Sequence, residues 1–352
     1  MRLFPLTVVC VVAFTTLALL NASPNEGKFL VEKFRAPSLE GNFLGDSPER
    51  EVSVYLPAGY DQNPNRRYAV LYFLHGNNVR GRGMDFTKFF GDPLPRVADK
   101  WIHDGTMNEM IIVFPNSNNR YGGSQYADSE TSGRWASFIV RDVVSYIDKK
   151  FRTLPKPESR GLAGHSMGGR GALYLALRFP GVFGAVYAGS AGAMAFDRTG
   201  YGSTAAWEKL VAARDDASVK EATADIEVRR VLTYSVAFSP NRNNPPFFAD
   251  FPKAMKDGVL ITRADVASRW ADFDPVRMVE SDAAPYRQLR ALHFDCGTAD
   301  RLIEGNRLLA AALKTSGVAH TYEEYDGDHN NRFVERVASK MLPMFSAHLI
   351  LE

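Results

Sequence analysis

The stretch Arg160–Leu173, RGLAGHSMGGRGAL, decides the fold. It begins with a short apolar run, passes through Gly164-His165-Ser166-Met167-Gly168, and continues in small residues that suit a closely packed helix. The central five residues fit the pattern G-x-S-x-G, which between a strand and a helix places a serine on a sharp, strained turn. The two glycines are needed because side chains there would collide with the neighbouring strand and helix. The sequence therefore predicts an exposed Ser166 at the end of a core strand.

Further short β-branched and aromatic runs occur on both sides of this stretch. They are apolar almost throughout, which is typical of parallel strands covered on both faces, and amphipathic segments lie between them. The predicted strands are 52–56, 69–74, 110–114, 161–164, 183–188, 289–295 and 320–325, and the predicted helices are 135–151, 172–178, 304–315 and 332–351. This alternation predicts an α/β protein with a mostly parallel central sheet and helices on both faces.

One long segment interrupts the alternation. Residues 190–288 contain no convincing core strand, and loops of such length are usually functional. The segment has a helical part and then an aromatic, proline-rich part at residues 234–252. Because the strand pattern resumes at Leu289, we expect a cap or lid inserted into one domain in preference to a separate domain.

The first residues have the pattern of an export signal. Arg2 precedes an uncharged run at residues 3–20, and the small residues Ala22 and Ser23 follow. A basic start, an apolar stretch and a small-residue exit indicate a secretory signal peptide at residues 1–22, leaving a domain at 23–352. The alternative is an uncleaved segment that anchors the protein in a membrane, because the run is about the minimum length that spans a bilayer.

Composition and charge exclude several classes of protein. The 352 residues include 42 Lys plus Arg and 40 Asp plus Glu, a formal net charge of +2, so no electrostatic feature favours nucleic acid as a partner. After signal cleavage we also expect no membrane association. The two cysteines, Cys10 and Cys296, are too few for a disulfide scaffold or a cysteine-based zinc module. No sequence feature indicates an oligomeric state.

A serine nucleophile needs a positioned base and an orienting carboxylate. In α/β-hydrolases these follow in the order Ser, Asp or Glu, His, each on a loop after a later strand. Six of the seven histidines precede the serine, belong to its turn, or lie in a strand pattern or on the last helix: His75, His103, His165, His293, His320 and His348. His329 remains, in a polar turn directly after a strand, and we predict that it is the base.

The carboxylate is predicted to follow the preceding strand. That region offers two candidates: Asp295 at the strand end, which could simply shape the turn, and Asp300 further out on the loop. We favour Asp300 and keep Asp295, Asp326 and Asp328 as alternatives. Two backbone N–H groups would stabilise an oxyanion: that of Met167, at the start of the helix after the serine, and that of Asn77, in a loop after an earlier strand.

These motifs carry a resemblance to a known family. Residues 54–57 (VYLP), 70–76 (VLYFLHG) and 164–169 (GHSMGG), the strand that ends at Asp295, and Gly327 with His329 resemble the esterase D, feruloyl esterase and antigen 85 group of α/β-hydrolases. The resemblance covers nearly the whole chain after the signal peptide. It implies the α/β-hydrolase fold and carboxylic-ester hydrolysis without a metal or an organic cofactor. Members often have an aromatic residue directly after the base histidine, where this chain has Asn330.

The resemblance and the motifs together predict a secreted serine esterase that acts through an acyl-enzyme. Acetyl or feruloyl esters of carbohydrate, or lipid esters, are the expected substrates, and export argues against a cytosolic S-formylglutathione hydrolase. An acyltransferase of the same fold is a second reading, in which an alcohol replaces water as the acceptor. A non-catalytic binding protein with this fold is a third, although the serine, the base and the acid are all present. Tyr121–Trp135, polar with aromatic residues, could line a substrate groove or form a surface loop capped by Thr131 or Ser132.

Overall fold

A computed structural model describes residues 26–77 and 94–352. The predicted signal peptide lies outside these residues. The strands, in chain order, are β1 (Lys28–Arg35), β2 (Glu49–Leu56), β3 (Val70–Leu74), β4 (Ile111–Pro115), β5 (Asp128–Ser129), β6 (Gly133–Arg134), β7 (Arg160–His165), β8 (Ala185–Gly189), β9 (Lys253–Lys256), β10 (Val259–Thr262), β11 (Ala291–Gly297) and β12 (Thr321–Tyr325).

Eight of these strands form the central sheet, in the order β1-β2-β4-β3-β7-β8-β11-β12. The six strands from β4 to β12 in that order run parallel to one another, whereas β1 and β2 are antiparallel additions at one edge. In the parallel part, β7 lies between β3 and β8. The carboxyl ends of β3, β7, β11 and β12 therefore meet at one edge of the sheet, which is where ligand sites form in such folds.

Helices cover both faces of the sheet. They are α1 (Leu94–His103), α2 (Trp135–Ser137), α3 (Val144–Lys150), α4 (Met167–Arg178), α5 (Phe196–Thr199), α6 (Thr204–Ala212), α7 (Asp216–Ala222), α8 (Ile226–Phe238), α9 (Ala264–Ala271), α10 (Pro275–Ser281), α11 (Ile303–Thr315), α12 (Phe333–Arg336) and α13 (Leu342–His348). A π-helical turn at Phe138–Val143 joins α2 to α3, and another at Val337–Met341 joins α12 to α13. Short 3₁₀ turns lie at Pro37–Leu39, Pro157–Ser159 and Ala284–Gln288.

The apolar runs of the sequence reflect two separate cores, one on each face of the sheet. On β3, Val70, Tyr72 and Leu74 pack into the core that includes α3, α4 and α11, while Leu71 and Phe73 pack into the core that includes α1 and α13. Both faces of the strand are buried, so successive residues are all apolar although their side chains point in opposite directions. The predicted mostly parallel sheet with helices on both faces is confirmed.

The sequence missed β1. Its pattern KFLVEKFR alternates apolar and charged residues, and none of its side chains is fully buried, because it pairs only with β2 at the edge of the sheet. Charged residues are common on edge strands because they discourage pairing with a second chain. The seven predicted strands are all present, with ends that differ from the prediction by at most three residues.

Residues between β8 and β11 form a helical layer with its own apolar centre. It comprises α5 to α10 and the β9–β10 hairpin, and the buried side chains of Trp207, Trp270 and Phe238 lie at its middle. Arg170 of α4 ties this layer to the sheet, because its guanidinium donates to the Phe273 carbonyl (2.9 Å) and lies 4.8 Å from the ring centre of Phe238. The role of this layer as a lid stays a prediction.

The described ranges 26–77 and 94–352 hold no helix with the length and apolar character needed to cross a bilayer.

Candidate active site

Ser166 occupies a strained turn between β7 and α4. Its backbone has φ 59° and ψ −120°, which non-glycine residues rarely adopt and which costs about 1–3 kcal/mol. A side chain on Gly164 would place its Cβ 2.3 Å from the Gly168 carbonyl oxygen, and one on Gly168 would place it 2.0 Å from that of Leu74. Both glycines are therefore required by close approach of the backbone, as the sequence predicts. The turn holds the Ser166 side chain out at the carboxyl edge of the sheet.

His329 and Asp300 extend from Ser166 in a continuous chain of hydrogen bonds. The Ser166 Oγ lies 3.0 Å from Nε2 of His329, and Nδ1 of His329 lies 2.8 Å from Oδ2 of Asp300. With Nδ1 protonated, the imidazole donates to the carboxylate and leaves Nε2 free to accept the serine proton. The structure thus brings together the three residues predicted from the sequence, in the geometry that activates a serine.

Asp300 is held as a buried carboxylate. It is 3% exposed, and its Oδ1 accepts the Leu302 N–H at 3.0 Å. Burial alone would raise the pKa of this carboxyl, but the hydrogen bonds from His329 and Leu302 outweigh burial and keep the pKa below its usual range. A negative charge at this place favours the tautomer of His329 with the proton on Nδ1, and it would stabilise an imidazolium if His329 took the proton of the serine.

The acid and base loops are joined through their backbones. The Thr298 N–H donates to the Tyr325 carbonyl at 2.8 Å, and the Ala299 N–H donates to the Gly327 carbonyl at 3.0 Å. A Cβ at Gly297 would lie 2.2 Å from the Gly327 carbonyl oxygen, so the two loops approach as closely as backbones can. Asp300 and His329 are consequently positioned by one unit of structure at the ends of β11 and β12.

The alternative carboxylates have other partners. Asp295, 2% exposed, accepts the Tyr187 hydroxyl at 2.5 Å and Nε of Arg336 at 2.7 Å. Asp328 accepts the backbone N–H groups of Asn330 and Asn331, and so closes the turn that carries His329. Among the described contacts, neither carboxylate bonds to the base, and Asp300 alone among the candidates does so.

The two predicted oxyanion donors lie beside the serine. Met167 is the first residue of α4, so its N–H has no acceptor earlier in that helix. Asn77 lines the same cavity, and the adjacent Gly76 would bring a Cβ within 3.3 Å of the Ser166 Cβ. The roles of Met167 and Asn77 in holding an oxyanion stay predictions.

Two histidines that the sequence argument set aside have structural roles. His75 accepts the Ser117 N–H at Nε2 (2.9 Å) and contacts the Gly76 carbonyl through Nδ1 (2.7 Å), and burial lowers the pKa of His75 to about 4. His165 contacts the backbone carbonyl of His329 through Nε2 at 2.8 Å. Removal from solvent, together with the nearby His329, lowers the pKa of His165 to about 3, so it is a neutral donor that holds the base loop.

Gln125 is a further site residue that the sequence did not single out. This buried side chain donates from Nε2 to Asn77 Oδ1 (3.2 Å) and Thr233 Oγ1 (3.0 Å), and its backbone has a positive φ of 55°. It thereby connects the Asn77 loop to α8. The segment Tyr121–Trp135 therefore contributes to the site, in line with the interpretation that it lines a substrate groove. The alternative cap is wrong, because Arg134 precedes the helix and no side chain caps it.

Ser166 opens into a cavity of about 610 Å³. Arg230 and Tyr234 of α8, Arg301 beside the acid, and Phe333 form much of its wall. These residues were missed because they come from the insertion and from positions whose local pattern gives no sign of a pocket. Phe333 supplies an aromatic face on the base side, four residues after His329. No group of side chains suited to a metal ion occurs within residues 26–77 and 94–352.

The geometry predicts that Asp300 activates Ser166 and that Asp295 does not. Asp300→Asn should slow labelling of Ser166 by a fluorophosphonate about 10³–10⁴-fold, because the amide no longer fixes the tautomer of His329. Asp295→Asn, the matched control, should label within about threefold of the parent while losing about 1–3 kcal/mol of unfolding free energy in urea. Equal losses of labelling in both folded variants would contradict the assignment.

Comparison with known proteins identifies the family. Residues 47–337 match the family model described as "Putative esterase". The esterase Rv1288 of Mycobacterium tuberculosis is 34% identical over 164 residues, which cover 46% of this chain and 33% of that protein. The chain thus spans about a third of the length of this relative.

Solved structures agree with this assignment at the level of the fold. A ferulic acid esterase superposes with a TM-score of 0.62 at 22% identity, covering 92% of this chain and 99% of its own. An S-formylglutathione hydrolase from Agrobacterium tumefaciens superposes with a TM-score of 0.58 at 17% identity, covering 94% and 98%. At these identities the likeness shows the fold alone. By its sequence match and its fold, the chain belongs to the esterase family of α/β-hydrolases.

Proposed function

We propose that this protein is a serine carboxylic-ester hydrolase that works through an acyl-enzyme. The observation that carries the proposal is the hydrogen-bonded chain from Ser166 Oγ through His329 to Asp300, at the mouth of a cavity. A serine hydroxyl alone is a weak nucleophile near neutral pH, and this chain supplies the base that it requires. Membership of the esterase family supports the same reaction class.

The first half of the reaction forms the acyl-enzyme. As the Ser166 Oγ bonds to the ester carbonyl carbon, its proton passes to Nε2 of His329 and negative charge develops on the carbonyl oxygen. The N–H groups of Met167 and Asn77 would stabilise that charge. Collapse of the intermediate breaks the bond to the alcohol oxygen, which takes the proton from His329 and leaves as the free alcohol.

The second half returns the serine. A water molecule gives a proton to Nε2 of His329 while its oxygen bonds to the acyl carbon, and the same oxyanion donors act again. Breakage of the bond to Ser166 Oγ, with return of the proton, releases the carboxylic acid. The carboxylate of Asp300 stays ionised throughout, consistent with its lowered pKa.

We infer that the substrates are acetyl or feruloyl esters of carbohydrate outside the cytosol. Similarity to the endo-1,4-beta-xylanase/feruloyl esterase of Xylanibacter ruminicola, 30% identical over 138 residues that cover 38% of this chain and 18% of that protein, supports an aromatic acyl group. The cavity of about 610 Å³ lies in the size range of small-ligand sites and has aromatic walls at Tyr234 and Phe333. Export rests on the signal-like segment at residues 1–22.

Loss of the serine hydroxyl tests the proposal directly. Ser166→Ala should lower kcat for 4-nitrophenyl acetate and methyl ferulate by about 10⁴-fold or more, because the covalent step is lost. Ser281→Ala, an exposed serine at the end of α10, is the matched control and should hydrolyse both esters like the parent. Circular dichroism should show the same fold for all three proteins. Turnover by folded Ser166→Ala at the parental rate would overturn the proposal.

At low pH, kcat/KM should fall because of the binding of a single proton to the enzyme. Protonated His329 cannot accept the proton of Ser166, so kcat/KM should fall about tenfold per pH unit once that form dominates. His165, with its pKa lowered to about 3, stays neutral over this range, and Asp300, with its pKa below the usual range, stays ionised. Neither adds a second proton between about pH 5 and pH 8. A limiting slope of two in log kcat/KM would contradict this account.

A further inference from the structure

The wall of the catalytic cavity carries two guanidinium groups. Among the described residues that line it, Arg230 and Arg301 are the two with a permanent charge, and no carboxylate lines it. Both lie close to Tyr234. Burial raises the pKa of the Tyr234 hydroxyl, and the guanidinium groups of Arg230, Arg170 and Arg301 counter the rise. The cavity beside Ser166 therefore has a positive wall, which an ordinary neutral ester would not require.

Arg230 is held in place by one partner. Its Nη1 donates to both carboxylate oxygens of Glu227, at 2.7 and 2.8 Å, one turn earlier on α8. Its side chain is 17% exposed. Among the described contacts, the hydrogen bonds of this guanidinium all start from Nη1, so Nε and Nη2 remain for a ligand. An arginine fixed in this way loses little side-chain entropy when it binds an anion.

Arg301 differs because it has no counterion. It is exposed, and within residues 26–77 and 94–352 no carboxylate lies within ion-pair distance of its guanidinium. It directly follows Asp300 in the chain, so the loop that fixes the acid also fixes the start of this side chain. An unpaired arginine at the rim of a reaction cavity is free to bind an anionic group on a substrate.

A second cavity continues from the first past these arginines. It has a volume of about 380 Å³ and shares Arg230, Tyr234, Arg301 and Leu302 with the catalytic cavity. Glu227 and Glu304 also line it. The Glu227 ion pair offsets part of the charge of Arg230, whereas Arg301, which lines both cavities, has no counterion among the described residues, so the junction of the two cavities keeps a positive charge.

We propose, on the basis of the proposed esterase function, that the substrate carries a carboxylate in addition to its ester, and that Arg230 and Arg301 bind it at the junction of the two cavities. The planar fork of a guanidinium matches a carboxylate in two parallel hydrogen bonds. Such a substrate is either an ester on a carboxylated sugar or other acidic alcohol, or a half-ester of a dicarboxylic acid. The two sources share the chemistry that Arg230 and Arg301 recognise.

Two matched pairs of chromogenic or ultraviolet-absorbing esters test the proposal and separate the two sources. The acyl pair is mono-4-nitrophenyl adipate and its methyl ester. The alcohol pair is 4-acetoxybenzoate and its methyl ester. Each kcat/KM is divided by the rate of alkaline hydrolysis of the same ester, which removes differences in intrinsic reactivity. The charged member of one pair should be preferred about tenfold to a hundredfold at low salt, and the preference should shrink as salt is added.

Substitutions of the two arginines test whether they cause the preference for the charged ester. Arg301→Gln should bring the charged-to-neutral ratio of that pair down about tenfold, and Arg230→Gln should also lower it. Arg307→Gln, on α11 and paired with Glu324 outside the cavity, is the matched control and should keep the parental ratio.

The outcomes separate this inference from the esterase function. Equal use of the charged and neutral members in both pairs, or a preference that survives both arginine variants, would overturn the inference while leaving ester hydrolysis intact. Failure to hydrolyse any of the four esters would overturn the proposed function, and this inference with it. A preference in the acyl pair alone identifies a dicarboxylic half-ester, and one in the alcohol pair alone identifies an acidic alcohol.

Discussion

The close approach of α4 to β3 and β7 is the constraint on which the rest of the site depends. Gly168 lies so near the Leu74 carbonyl that any Cβ would overlap it, and Gly164 meets Gly168 in the same way. At this distance the chain turns from β7 into α4 with Ser166 at φ 59° and ψ −120°, a backbone conformation that non-glycine residues rarely adopt. This conformation costs about 1–3 kcal/mol and persists because the packed sheet and helix around the turn hold it. The turn leaves the serine hydroxyl at the carboxyl edge of the sheet.

The other reactive groups reach the serine because parallel strands bring their following loops to the same edge. β11 and β12 are neighbours, and the backbone contacts between their loops hold Asp300 and His329 as one unit. His165, beside the serine in sequence, bonds to the His329 carbonyl and ties that unit to the turn. On the opposite side, Gln125 links the Asn77 loop to the helical layer, so α8 and the Asn77 loop share a buried contact.

Core strands and motif residues could be predicted from the sequence because they follow local patterns. Residues that reach the site only through contacts between distant parts of the chain could not. Core strands were found because burial on both faces makes them apolar. β1 was missed because its apolar residues alternate with charged ones and the strand is partly exposed, so it has no distinct apolar run. Ser166, His329 and Asp300 follow from a motif and from strand order. Arg230 could not be found in this way, since α8 packs beside the serine only through tertiary contacts, and its sequence is that of an ordinary amphipathic helix.

The central claim is that Ser166 carries the acyl group during turnover. The direct measurement is the mass of the protein quenched with acid in the first turnovers of 4-nitrophenyl acetate, followed by peptide mapping. The account predicts that the protein gains one acetyl group, on the peptide that contains Ser166, and that the gain disappears as substrate is exhausted. An early release of nitrophenol with no acetyl group on Ser166, or with the group on another residue, would contradict it.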